Sequence, residues 1–169
     1  MIAIKNVLVA TDFSPVSETA LVYGRALART FNGTLHVLHV VDNIAARIAY
    51  ADASVVGTAP PELQAELERA ALSHLEAFVT ETDRRELHAI TQLRVSNSTA
   101  KTITDYARDA GIDVIVVGAT GRGAVDRMLM GSVADKVIRR APCPVLAVRH
   151  PEREFVLPDT LQALAHAKA

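Results

Sequence analysis

The segment Val114-Ile-Val-Val-Gly-Ala-Thr-Gly121 and, after nine intervening residues, Gly131-Ser132 read as a buried strand, a glycine turn and the opening of a helix. Val114 to Val117 are all apolar, with none of the alternation of a half-exposed strand, so both faces of this strand should be covered. Val133, Val137 and Ile138 then recur at helical spacing. Glycine has no Cβ, which lets backbone N–H groups approach an anion closely. A helix N-terminus adds unpaired donors and the positive end of the peptide dipole, and Ser132 adds a hydroxyl beside them. Strand, glycine turn and helix in this order make a layout for holding phosphate.

The rest of the chain repeats the strand–helix alternation. Further strands are expected at Val7–Ala10, Thr34–Val41, His88–Val95 and Val145–Val148, and helices at roughly 15–32, 61–82, 99–110 and 131–141. Ser14-Pro15 supplies an N-cap with proline at the first helical position, and Gly33 suits the left-handed residue after that helix. Pro60-Pro61 precedes the second helix, Gly111 follows the third and Pro142 stops the fourth. Apolar strands alternating with helices imply parallel pairing and right-handed crossovers, hence a three-layer α/β sandwich. Ligands of such sheets bind beyond the carboxyl ends of the strands, where strand order reverses. The crevice is therefore expected between Ala10-Thr11-Asp12 and Val117-Gly118. Residues 42–59 read as a long connection without a firm period, and such a connection is usually functional or mobile. Residues 151–169 read as a tail in which Leu157, Leu161 and Leu164 are spaced for a short amphipathic helix.

Bulk properties exclude several function classes. The chain has 169 residues, half of them apolar, and a net charge of −1, which gives no general attraction to nucleic acid or membranes. Aromatics make up 4% and tryptophan is absent, which argues against a base-stacking surface for single strands. No apolar run approaches the roughly 18 residues of a membrane span, and the start Met1-Ile-Ala-Ile-Lys-Asn6 lacks a basic leader, so a cytoplasmic protein is expected. Cys143, alone between Pro142 and Pro144, has no internal disulfide partner and no neighbouring base to make it a nucleophile. His36 and His39 lie three residues apart on one strand, so they point to opposite faces and share no metal; both read as packing residues.

The candidate site residues also have structural readings. Gly118 and Gly121 suit an ordinary tight turn, and Ser132 suits a helix N-cap, a role compatible with an anion nearby. Asp12 suits either an Asx-turn ahead of Ser14 or a ligand contact at a strand end. Arg122 and Arg127 suit solvated loop charges or cations answering a polyphosphate. Arg139-Arg140 reads as the last turn of a helix, complementing its dipole.

Taken together, the front Thr11-Asp12, the back Gly118-x-x-Gly121-x9-Gly131-Ser132 and the closing Ala141-Pro-Cys-Pro-Val-Leu-Ala-Val-Arg149 resemble the universal stress protein family over about residues 3–149. The glycine spacing, terminal Ser included, is similar to the family's ATP-binding branch. The resemblance implies a Rossmann-like five-stranded parallel sheet of order 3-2-1-4-5 with helices on both faces. It also implies a domain at 1–150 and a homodimer through the strand at 145–149. By the same resemblance, Ala10, Thr11, Asp12 and the backbone of Val40 and Val41 face adenine and ribose, and Gly118 and Ala119 line the ribose and α-phosphate. Gly121, Arg122, Gly123, Gly131, Ser132 and Val133 cradle the phosphates of ATP, which Mg2+ would accompany without any dedicated carboxylate cage. The function so implied is a dimeric, ATP-dependent regulatory module of the stress response, with a protein partner still open. In that reading, occupancy orders residues 119–130 over the phosphates. The alternatives are a slow ATPase or phosphotransferase, although no Gly-x4-Gly-Lys-[Ser/Thr] loop is present, or a nucleotide-free interaction protein.

Overall fold

The computed structural model describes residues 2–51, 61–120 and 130–149. In chain order the elements are β1 (Asn6–Thr11), α1 (Pro15–Phe31), β2 (Thr34–Val41), α2 (Ile44–Ala51), α3 (Pro61–Phe78), α4 (Glu81–Glu86), β3 (Ile90–Val95), α5 (Thr99–Asp109), β4 (Val114–Gly118), α6 (Ser132–Arg140) and β5 (Val145–Val148). The five strands are all parallel and ordered β3-β2-β1-β4-β5, as expected.

Parity along each strand divides the core into two layers. Val7, Val9, Leu35, Val37, Val114 and Val116 face Ala20, Leu21 and Ala28 of α1 and Leu75 of α3. Leu8, Leu38, Ile115 and Val117 face Ile103 and Ala107 of α5 and Val137 of α6. The middles of β1 and β4 are therefore apolar on both faces because each face lies under helices. At the sheet edge, Val145, Leu146 and Ala147 of β5 are only half-buried. α1 lies very close to β1: a Cβ on Gly24 would come within 2.2 Å of Val9 Cγ2.

Several boundaries differ from the sequence expectation. The helix expected over 61–82 is two: α3 ends at Phe78, and Thr80, extended at φ −74° and ψ 161°, starts α4 with a capping box. The Thr80 hydroxyl accepts from Asp83 N–H at 3.1 Å, while Asp83 Oδ2 accepts from Thr80 N–H at 2.9 Å. The connection at 42–59 contains α2, whose start is capped by Asn43 Oδ1 accepting from Ala46 N–H at 2.9 Å. β3 begins at Ile90 rather than His88, because His88 has φ 48° and cannot join an extended strand.

The left-handed residue closing α1 is Asn32, at φ 52°, and not Gly33. Gly33 follows it, donating to Ala28 O at 2.8 Å, and is needed for space: a Cβ there would lie 2.9 Å from the carbonyl oxygens of Ile4 and Lys5. Gly111 does take the left-handed position after α5, at φ 60°, with open space around its missing Cβ. Gly111→Ala therefore tests backbone conformation alone and is expected to cost about 1 kcal/mol in urea unfolding. An unchanged midpoint would show that the turn relaxes at no cost.

His36 and His39 do point to opposite faces. His36 is 7% exposed on the α5 side, its Nδ1 2.8 Å from the Tyr106 hydroxyl, with the Arg94 guanidinium 5.7 Å from the centre of the Tyr106 ring. Burial lowers the His36 pKa below its ordinary 6.5, so the unfolded chain binds the proton more readily than the folded one. Stability from this group is present above about pH 6.5 and is lost as pH falls below it. The urea midpoint should drop between pH 7.5 and pH 5.5, and the drop should shrink in His36→Gln.

Candidate functional site

The chain leaves β1 through a tightly bonded turn. Ser14, extended at φ −81° and ψ 159°, caps α1 by accepting from Ser17 N–H at 3.4 Å, with Pro15 at the first helical position. Asp12 Oδ1 accepts from Ser14 N–H at 3.1 Å and from the Ser14 hydroxyl at 2.5 Å, which is the Asx-turn reading of Asp12. Thr11, 7% exposed, accepts from Phe13 N–H at 3.0 Å through its hydroxyl, which also lies 2.9 Å from the Ser17 hydroxyl. Between these bonds Phe13 adopts φ 60°, a left-handed conformation that costs a bulky residue about 1–2 kcal/mol. Its ring centre lies 4.3 Å from that of His39. His39 Nδ1 is 2.8 Å from the Thr11 carbonyl, which can only accept, so Nδ1 carries the proton. His39 thus holds the end of β1, and sequence reasoning that made it a packing residue missed that it also faces a cleft.

That cleft, of about 890 Å³, opens beyond the carboxyl ends of β1 and β2. Asp12, Phe13, His39, Val40 and Val41 line its sheet side; Ile44, Arg47 and Ile48 of α2 and Leu67, Ala70, Ala71 and His74 of α3 form the other walls. The α2 wall is tied in from distant parts of the chain. Asn43 N–H donates to Asn97 Oδ1 at 2.8 Å, Asn97 Nδ2 donates to Asn43 O at 3.0 Å, and Ile44 N–H donates to Gln64 Oε1 at 3.0 Å. At the rim, Arg47 pairs with Asp42 at 2.8 Å. Sequence reading missed α2 and α3 as walls; the one available signal was Asn43 as a cap three residues before Ala46.

β1 and β4 are neighbours, which sets Ala10 beside Val117 at the strand ends, and this cleft reaches from the end of β1 over β2. At Gly118 a Cβ would lie 2.9 Å from Val16 Cγ1, so the end of β4 is packed against the first turn of α1. Ala119, 4% exposed, donates to Val148 O at 2.6 Å, and its carbonyl accepts from Gly131 N–H at 2.7 Å. That bond brings the start of α6 back to the end of β4. Gly131 is itself the N-cap of α6, at φ −61° and ψ 144°, with no side chain to satisfy the helix donors, and Ser132 is the first helical residue rather than the cap. Ser132 and Val133 are exposed there. Ala10 is half-buried within β1. Gly121, Arg122, Gly123 and Arg127 lie outside the described residues, as does the tail at 151–169.

The described candidate residues therefore fall in two places: Asp12, Val40 and Val41 along one cleft, and Ala119, Gly131, Ser132 and Val133 where α6 opens beside β4. Among the described residues no group of three or more His, Cys, Asp or Glu stands together as a metal site. Burial first, and the Asp113 carboxylate second, push the Cys143 thiol above its ordinary 9.0, which keeps it protonated and unsuited to nucleophilic attack. Among the described residues no helix is long and apolar enough to cross a membrane.

Comparison with known proteins places this arrangement. The model of the universal stress protein family matches residues 3–149. The chain belongs to that family. A universal stress protein of Methanocaldococcus jannaschii is 31% identical over 150 residues, covering 89% of this chain and 85% of that one. Among solved structures, the universal stress protein UspA from Lactobacillus plantarum aligns with a TM-score of 0.67 and 27% identity, covering 88% of this chain and all of that one. A universal stress protein solved in complex with cAMP aligns with a TM-score of 0.55 and 25% identity, covering 88% of this chain and 98% of that chain. The shared α/β fold and the parallel sheet of order 3-2-1-4-5 are thus those of this family.

Proposed function

We propose that this protein binds ATP, with its base and ribose beside Asp12, Val40 and Val41 and its phosphates at the opening of α6, and acts as a dimeric nucleotide-dependent regulatory module of the stress response. One observation carries the reading: Gly131 caps α6 with bare main chain and is hydrogen-bonded to Ala119. The bare main chain that opens α6 is thereby held at the end of β4, next to β1, which supports a phosphate end there. The relative solved with cAMP supports an adenine nucleotide as the ligand class. The donor set fits polyphosphate, since exposed first-turn N–H groups and the Ser132 hydroxyl all donate. Gly118, Ala119, Gly121, Arg122 and Gly123 complete the phosphate end in this reading, and Ala10 and Thr11 support the base end. Mg2+ would arrive on the phosphate oxygens rather than on a protein cage.

The half-buried apolar edge of β5 supports a homodimer formed through residues 145–149. A protein partner would read the nucleotide state only through different affinity of the two states for ATP. Hydrolysis is slow or absent in this reading, and the cytoplasm is the compartment that supplies the ligand.

Mass analysis of natively purified protein for bound nucleotide, followed by calorimetric titration with MgATP, tests the proposal. Retained or titratable ATP at one site per chain is the expected result. No binding at millimolar ATP would overturn it, and hydrolysis of many ATP per site per second with ATP in excess would make the protein an enzyme instead.

A further inference from the structure

Phe13 presents a choice that the turn itself does not require. Glycine would make the left-handed bend between β1 and α1 without strain, yet this chain places a phenylalanine at φ 60°. A strained residue persists only where its surroundings hold it and its side chain is needed. The surroundings are evident: the ring lies 4.3 Å from His39 at an interplanar angle of 33°, and meets the rings of His74 and Phe78 near edge-on at 5.5 and 5.6 Å. Phe13 N–H is held by the Thr11 hydroxyl, and the His39 that stacks on the ring also holds the Thr11 carbonyl. Phe13, His39 and His74 all line the cleft, next to Asp12.

We propose that Phe13 is a specificity-determining residue, its left-handed backbone holding an aromatic wall that selects ligands carrying a planar heteroaromatic base. This proposal rests on the nucleotide reading and adds to it the group that recognises the base. A flat ring packed against an aromatic wall gains over an aliphatic wall of equal size, through offset or edge-on π contact. The wall therefore contributes to any ligand with a base, phosphorylated or not, and nothing to the phosphate end.

The test compares Phe13→Leu, which keeps the bulk and loses the plane, with Phe13→Tyr, which keeps the plane; Phe13→His replaces the latter if it does not fold. Each protein, shown to be folded by circular dichroism at the assay temperature, is titrated with ATP and with adenosine. The expected result is about tenfold weaker binding of both ligands to Phe13→Leu, with Phe13→Tyr within about threefold of the unaltered protein. Unchanged affinity in Phe13→Leu would overturn the proposal, as would equal losses in both variants or a loss for ATP without a loss for adenosine. In those cases ATP still binds the unaltered protein, so the nucleotide reading stands. Failure of the unaltered protein to bind ATP overturns both together.

Discussion

Asp83→Ala is expected to lower the unfolding free energy by about 3–5 kcal/mol, because it strands a guanidinium that the fold has taken largely out of water. Asp83 is 1% exposed, and Arg25 of α1 bonds both its oxygens, through Nε at 2.8 Å and Nη2 at 2.6 Å. The same carboxylate caps α4 through Thr80 N–H and the Thr80 hydroxyl, and Arg25 Nη2 also reaches Phe78 O at 3.3 Å. One side chain therefore closes the α3–α4 corner and ties it to α1, and its removal breaks the bonds to Arg25 and Thr80, leaving Arg25 only its bond to Phe78 O. In a chain of this size the loss corresponds to a melting temperature lower by about 6–20 °C. A shift below about 1 kcal/mol would mean that water replaces the carboxylate at little cost.

The same pair gives an acid limit of known sign. Burial alone would raise the Asp83 pKa, but the hydrogen bonds from Arg25 and Thr80 outweigh it and hold the carboxyl below its ordinary 3.8. Stability from the pair is thus complete above about pH 4 and is lost as pH falls through the lowered value, where the unfolded chain already binds the proton. This window lies well below that of His36. Acid titration of the unaltered protein should therefore show two separate losses of stability, and Asp83→Asn should remove the lower one.

Gly131→Val is expected to weaken ATP binding by at least about tenfold while leaving the fold in place. Gly131 sits at φ −61° and ψ 144°, a conformation valine adopts readily, so backbone strain adds nothing to the outcome. As an N-cap, valine is poorer than glycine by no more than about 1 kcal/mol. What changes is access, since a branched side chain stands where a phosphate would approach the first turn of α6. Calorimetry with MgATP measures the affinity and urea unfolding measures the fold. Unaltered affinity would remove the phosphate site from the opening of α6.

Local signals carried the fold well where one element's own residues decide it. Four apolar residues at Val114–Val117 require cover on both faces whatever their neighbours are, and the offset of His36 from His39 sends their side chains to opposite layers by parity alone. Local signals failed where two readings were close in energy. Thr80 and Asp83 carry the capping-box spacing, but helical periodicity continued past it, and only the Arg25–Asp83 bond shows why the chain restarts there. Asn32 and Gly33 compete for one left-handed position. Asn32 takes it because Gly33 is needed against the Ile4 and Lys5 carbonyls, a contact between residues far apart in sequence.

The candidate site divides along the same line. The run of apolar strands, its parallel pairing and the glycine that opens a helix after β4 belong to the amino-acid sequence, since each follows from side-chain period, strand–helix alternation or a missing Cβ. Where the cleft opens was settled by packing. Asn97 and Gln64 draw the start of α2 alongside α3. These partners meet only after the sheet has formed, so no window of sequence contains them, and the hollow over β1 and β2 is the space their contacts leave.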